Sequence, residues 1–190
     1  MIGLVFAFFI CTAFTTLGRS SVAQIPPLVD FKEVIKLETK IEKVTINPEL
    51  LQSHNNFLHA IGRRESSNRY DITNRFGYMG KYQFGRKTLN SIGFKHIDNK
   101  TFLNSPKLQE EAMLSLLKSN KKILRRQIKR YVGTVVNGVY ITESGLLAGA
   151  HLAGAGNVKK WLRNGKRFKD GLGTSIVSYI ELFGGYKLNI

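Results

Sequence analysis

One cysteine is all the sequence holds, and Cys11 lies inside an uncharged apolar run. With that run removed, no disulfide and no thiol nucleophile remains. The histidines, His54, His59, His96 and His151, lack the spacing of a metal-binding helix such as His-Glu-x-x-His. No metal and no cofactor is expected. Proline is scarce as well: Pro26 and Pro27 stand together, and Pro48 and Pro106 each follow a capping residue. The apolar run, residues 2 to 17, is short of the roughly 20 residues that span a bilayer. There is no internal repeat. Acidic residues are the last shortage, 13 against 29 Lys plus Arg, for a net charge of +16 and a pI near 10.1. Such an excess favours a polyanionic partner.

What is present separates into parts. The uncharged run followed by Ser21-Val22-Ala23 has the form of a signal peptide over 1–23, cut near Ala23. An uncleaved anchor is the alternative, because a basic segment before the run is missing. Export, to the periplasm or outside the cell, is the expectation. For an exported cationic protein the anionic cell envelope ranks before nucleic acid, and no recognised nucleic-acid motif accompanies the charge. Residues 24–46 read as a connector, broken by Pro26-Pro27. The rest of the chain, 47–190, is ordinary in composition, within a chain 43% hydrophobic and 22% charged, and is large enough for one domain with a core.

Within that domain Asn47-Pro48-Glu49 has the signals of a helix start: a cap, a proline in the first turn and an acid near the positive end. Leu50, Leu51, His54, Phe57, Leu58, Ile61 and Glu65 then share one face. A polar stretch rich in glycine and tyrosine follows and reads as a loop, with a short helix over Lys87 to Ile92. Ser105-Pro106 opens the longest helix. Its stripe is Leu108, Ala112, Met113, Leu116, Leu117, Leu124, Ile128 and Tyr131, and its far end is crowded with Lys118, Lys121, Lys122, Arg125, Arg126, Lys129 and Arg130. That cluster reads first as a solvated cationic face. Val135 to Tyr140 carries a hairpin signature around Asn137-Gly138. Thr142 starts a helix through Leu147 and His151, halted by Gly154 and Gly156. Val158 to Leu162 is a further short helix, and Thr174 caps a last one through Tyr179 and Phe183. This order predicts an α+β domain, mainly helical, with a small β or loop region beside the first helix.

The chemistry concentrates at Glu65. A carboxylate placed on an apolar face is costly to ionise, so its pKa is expected to rise, which suits a general acid. The competing reading is a helix-end carboxylate paired with Arg63, Arg64 or Arg69. Glu65-Ser66-Ser67, then Gly80-Lys81-Tyr82-Gln83, then Ala150-His151-Leu152-Ala153-Gly154 resembles the three-motif order of the lytic transglycosylases. The likeness covers roughly residues 55 to 186. It implies a lysozyme-like fold, peptidoglycan glycan strands as substrate, and cleavage of the β-1,4 bond between N-acetylmuramic acid and N-acetylglucosamine. It also implies Glu65 as the acid and then the base, and attack by the muramic acid's own 6-hydroxyl to leave a 1,6-anhydro end. Intramolecular attack of high effective molarity replaces a second carboxylate.

The resemblance makes Gln83 a sugar-cleft residue, against a turn amide bonded to backbone. It places Ser66 beside Glu65 among the substrate-binding residues, as loop support more than nucleophile. Tyr78 and Tyr82 are candidates to stack on sugar rings, against packing in a core. Tyr179 stands where a late family tyrosine approaches the acid. His151 and Leu152 depart from the pattern, which has Tyr and Asn there; Leu152 cannot make the bond of an amide, so either His151 supplies it or substrate contact is rearranged. A two-carboxylate glycosidase would need a partner acid, for which Asp71, Glu143 and Glu181 stand without distinction. The alternatives are a hydrolytic muramidase on the same fold, and a non-catalytic cationic cell-wall binder.

Overall fold

The computed structural model describes residues 47–166, 168–171 and 173–190. The signal peptide read over 1–23 and the connector over 24–46 lie outside the described residues. The chain runs α1 (Pro48–Ser66), α2 (Arg86–Ser91), α3 (Asn99–Leu103), α4 (Pro106–Tyr131), β1 (Val135–Val136), β2 (Val139–Tyr140), α5 (Glu143–Ala153), α6 (Ala155–Asn164) and α7 (Ile176–Leu182). This is a mainly helical α+β arrangement, as expected.

Helix α1 starts as its sequence dictates. Asn47 Oδ1 accepts from the N–H groups of Glu49 and Leu50 at 2.9 and 3.2 Å, so two of the orphan donors of the first turn are satisfied. Its buried face holds His54, Phe57, Ile61, Gly62 and Ser66. Leu51, expected on that face, is 40% exposed; the stripe is rotated toward Gly62 and Ser66. The helix ends at Ser67 in left-handed conformation, φ 57°, and Asn68 follows at φ 63°, which turns the chain back under Glu65.

Helix α4, 26 residues long, is the longest. It buries Ala112, Met113, Leu116, Leu117 and Leu124 and also two amides, Gln109 and Asn120, which apolar periodicity passes over. Helix α5 is covered on all sides: Leu146, Leu147 and Ala148 are fully buried, the mark of a central helix. It packs against α4, α6 and α7. A Cβ on Gly145 would run into the backbone carbonyl of Ile180, so glycine is what lets α7 lie against α5.

Several boundaries differ from expectation. Gly156 does not stop a helix but lies inside α6, whose cap is Gly154. The cap of α7 is Ser175, not Thr174: Ser175 Oγ accepts from Ser178 N–H at 3.0 Å. The N–H of Thr174 is engaged instead by Asp170 Oδ1 at 2.7 Å. Helix α3 was not anticipated; Asp98 caps it through Thr101 N–H at 2.9 Å, and Phe102 anchors it in the core. The hairpin pairs Val135 with Tyr140 and Val136 with Val139, with Asn137 and Gly138 at φ 51° and 82°, the signs a type I′ turn needs. Between α1 and α2 the loop makes isolated bridges, Thr73 to Met79 and Met79 to Phe84.

Candidate active site

Glu65 sits in the last turn of α1 with its side chain 17% exposed. It lines a cleft of about 630 Å³ that also receives Gln83 from the loop, Asn120 from α4 and His151 from α5. Tyr179 of α7 donates its hydroxyl to Glu65 Oε1 at 2.6 Å. His151 Nε2 stands 3.5 Å from the same oxygen, and its ring is set edge-on to Phe84, centroids 6.1 Å apart. Neither contact uses Oε2. One oxygen of the carboxylate is thus engaged by both partners, and among the described residues no hydrogen bond reaches the other.

The electrostatics correct the expected rise in the Glu65 pKa. Burial does push it up, but the hydrogen bond and charge of His151, the Tyr179 hydroxyl and the charge of Arg64 together outweigh burial and hold it below the usual value. Sequence spacing shows the apolar face; it does not show partners arriving from α5 and α7. Burial and the charge of Glu65 hold the Tyr179 hydroxyl far above its ordinary range, so it keeps its proton and donates it to Glu65.

Helix α4 holds the second motif in place. Gln109, fully buried, accepts from Lys81 N–H at 2.8 Å and donates to Tyr70 and Phe102 carbonyls at 2.9 and 3.0 Å. A Cβ on Gly80, at φ 72°, would overlap the Gln109 carboxamide, so the motif's glycine makes room for that amide. Next to it Glu110 accepts from Lys81 Nζ at 2.7 Å and from the hydroxyls of Tyr70 and Tyr82 at 2.6 Å each. Burial pushes Glu110 up, but Lys81 and the tyrosines hold it below the usual carboxylate range. Gln83 then takes φ 50° and donates its Nε2 to Gly80 carbonyl at 2.8 Å. It is thus both a turn amide and a cleft residue.

Two proposed substrate contacts are placed elsewhere. Tyr82 is fully buried, with its hydroxyl on Glu110 and its ring edge-on to Phe84; it belongs to the core. Ser66 is buried, donates to Lys81 carbonyl at 2.8 Å and accepts from Arg69 N–H at 3.0 Å, joining α1 to the loop. Tyr78 does line the cleft, 46% exposed, beside Phe76 at 52%, and Ile123 of α4 adds a third apolar surface there. The acids Asp71, Glu143 and Glu181 do not line it. Asp71 faces Arg69 at 3.4 Å and Glu143 pairs with Lys121 at 2.9 Å. Asp170, which motif reading missed, lines the cleft beside Gly171. No cluster of three His, Cys, Asp or Glu side chains suited to a metal occurs among the described residues.

This geometry, with an acid at a helix end, a turn from a loop and a histidine from a central helix, lies within one matched region. A family model, the Transglycosylase SLT domain, matches residues 48–172. The chain belongs to the transglycosylase SLT-domain family. The match opens at the first residue of α1 and takes in Glu65, the turn at 80–83 and His151, whereas Tyr179 lies beyond it. The mainly helical fold with its small hairpin is the lysozyme-like fold of SLT domains, and members are lytic transglycosylases that cleave the glycosidic bonds of peptidoglycan. No curated protein and no solved structure matches the chain.

Proposed function

We propose that the protein is an exported lytic transglycosylase in which Glu65 acts as general acid and then as base on the bond between N-acetylmuramic acid and N-acetylglucosamine. The observation that carries this reading is the asymmetry of Glu65: Tyr179 and His151 both meet Oε1, and Oε2 has no part in either contact. In the first step protonated Glu65 gives its proton from Oε2 to the glycosidic oxygen as the bond to C1 breaks. In the second, the carboxylate takes the proton of the muramic acid 6-hydroxyl as that oxygen bonds to C1. The proton returns to Glu65, no water is consumed, and a 1,6-anhydro end results. Glycan filling the cleft removes water and raises the cost of the ionised carboxylate, which favours the protonated form of Glu65 that the first step uses.

The apolar surfaces of Phe76, Tyr78 and Ile123 suit the faces of sugar rings. Export is supported by the residue 2–17 run and Ser21-Val22-Ala23, and the net charge of +16 suits an anionic cell envelope. The position of Asp170 in the cleft favours one second reading, a muramidase in which a second carboxylate directs water. Mass spectrometry of digested peptidoglycan separates the two, since anhydro and reducing ends differ by one water. Anhydro products support the transglycosylase; reducing ends alone replace it by the hydrolase.

A further inference from the structure

Asn120 is an anomaly of helix α4. It stands on the buried face with Leu117 and Leu124, where its neighbours in the stripe are aliphatic, and asparagine is a poorer helix former than leucine. The residue is 5% exposed and lines the cleft with Glu65 and His151. Its Nδ2 is buried without a hydrogen-bond partner among the described residues, and so is His151 Nδ1 in the same cleft. A buried amide left unpaired costs the fold free energy and is out of place unless something else engages it. Gln109, about three turns earlier on the same buried side, shows the contrast: both ends of its carboxamide are bonded.

We propose that Asn120 is a specificity-determining residue whose carboxamide binds the acetamido group of an N-acetylated sugar in the cleft. A carboxamide offers N–H and C=O side by side, and an acetamido group offers the complementary pair; a sugar hydroxyl engages only one of the two. The terminal torsion of asparagine is soft, so either edge of the amide turns toward the cleft without leaving its rotamer. Position supports the assignment. Leu152, which occupies the place of an amide in the third motif, also lines this cleft and cannot form that bond. Helix α4 packs against the α5 helix that carries Leu152, and Asn120 and Leu152 line the same cleft. The inference rests on the cleft's being the glycan site.

The test uses the full chain and two soluble probes, a hexamer of N-acetylglucosamine and the same hexamer with its acetyl groups removed. Binding is measured by calorimetry for wild type, Asn120→Leu and Asn120→Ala, with thermal unfolding of each. Asn120→Leu keeps the branched outline, adds some volume at the cleft wall and removes an unpaired amide, and should unfold near the wild-type temperature or above; Asn120→Ala controls for the added volume. Asn120→Leu should bind the acetylated hexamer about 5- to 150-fold more weakly and the deacetylated one as wild type does. Using both probes in both proteins cancels the charge that deacetylation adds. Wild-type affinity of folded Asn120→Leu and Asn120→Ala for the acetylated hexamer overturns the proposal. A loss of stability with equal loss for both probes does so too, by making Asn120 structural. Failure of wild type itself to bind the acetylated hexamer rejects the cleft as glycan site and the proposal with it; normal wild-type binding with unaffected variants rejects the proposal alone.

Discussion

Replacing Glu110 by Gln tests how the second motif is held. Lys81, with a side chain 10% exposed, has Glu110 as its ion-pair partner, and the Glu110 side chain is 35% exposed. Removing one member of a buried pair costs about 3–5 kcal/mol, because the other is left buried and charged. Water reaching the more open carboxylate side lowers that to about 2–3 kcal/mol here. For a chain of this size each kcal/mol moves the unfolding temperature by about 2–4 °C, so a fall of about 4–12 °C is expected. Circular dichroism during heating measures it. The pH dependence supplies a second handle. Glu110 is held below its ordinary value when folded, so its contribution is complete above the unfolded value and is lost as pH falls through the folded one. Wild type and Glu110→Gln should therefore converge at acid pH. The triple change Lys81→Met, Tyr82→Phe, Glu110→Leu should recover most of the loss, since a buried pair replaced by apolar groups of similar size is near neutral. A Glu110→Gln protein within about 1 °C of wild type at neutral pH, or a gap that does not narrow in acid, refutes the reasoning.

Other outcomes follow from the same contacts. With His151→Leu the leading depressing partner of Glu65 is gone while burial stays, so the Glu65 carboxyl should titrate at higher pH than in wild type by carbon-detected NMR; an unmoved titration contradicts the pairing. Neutralising Lys122, Arg125, Arg126 and Arg130, all exposed, should weaken association with anionic cell wall at low salt and leave turnover of a soluble glycan fragment within about twofold, because exposed charges are screened over about 10 Å at 0.1 M salt. Lys121 is left out of that set, since it bonds Glu143 at 2.9 Å and the Ile190 carbonyl at 2.9 Å and its loss would loosen the chain end. Loss of turnover on the fragment would place the cluster in the cleft.

Much of the fold was legible because local signals were strong. Asn47 and Ser105 cap the helices they were expected to cap, and the Asn137-Gly138 pair closes its hairpin, since each acts through contacts only a few residues away. The five-residue helix at Asn99 was not legible, because it is too short for periodicity and depends on Phe102 reaching the core. The site was legible in its motif residues and not in their support. Gln109 and Asn120 lie on the buried face of α4 with Glu110 beside them, and a stripe read by hydrophobicity skips such polar members; the partners of Gln109 and Glu110, 28 to 40 residues away, appear only once the chain is folded. The same limit reversed the expected direction at Glu65. Its face on α1 is apolar, and of the groups that outweigh burial only Arg64 is a neighbour in sequence, while His151 and Tyr179 arrive from distant helices.

The central claim is that Glu65 delivers the proton that breaks the glycosidic bond. Glu65→Gln keeps the shape of the side chain and can still meet the Tyr179 hydroxyl through its amide oxygen, but it has no acidic proton to give. Purified wild type and Glu65→Gln, shown equally folded by circular dichroism, are compared on isolated peptidoglycan by release of soluble fragments, with mass analysis of the products. The account predicts 1,6-anhydro ends from wild type and a rate at least about 10²-fold lower for Glu65→Gln, the lower end of what a positioned acid contributes. A folded Glu65→Gln protein that releases fragments at a rate near wild type would contradict it.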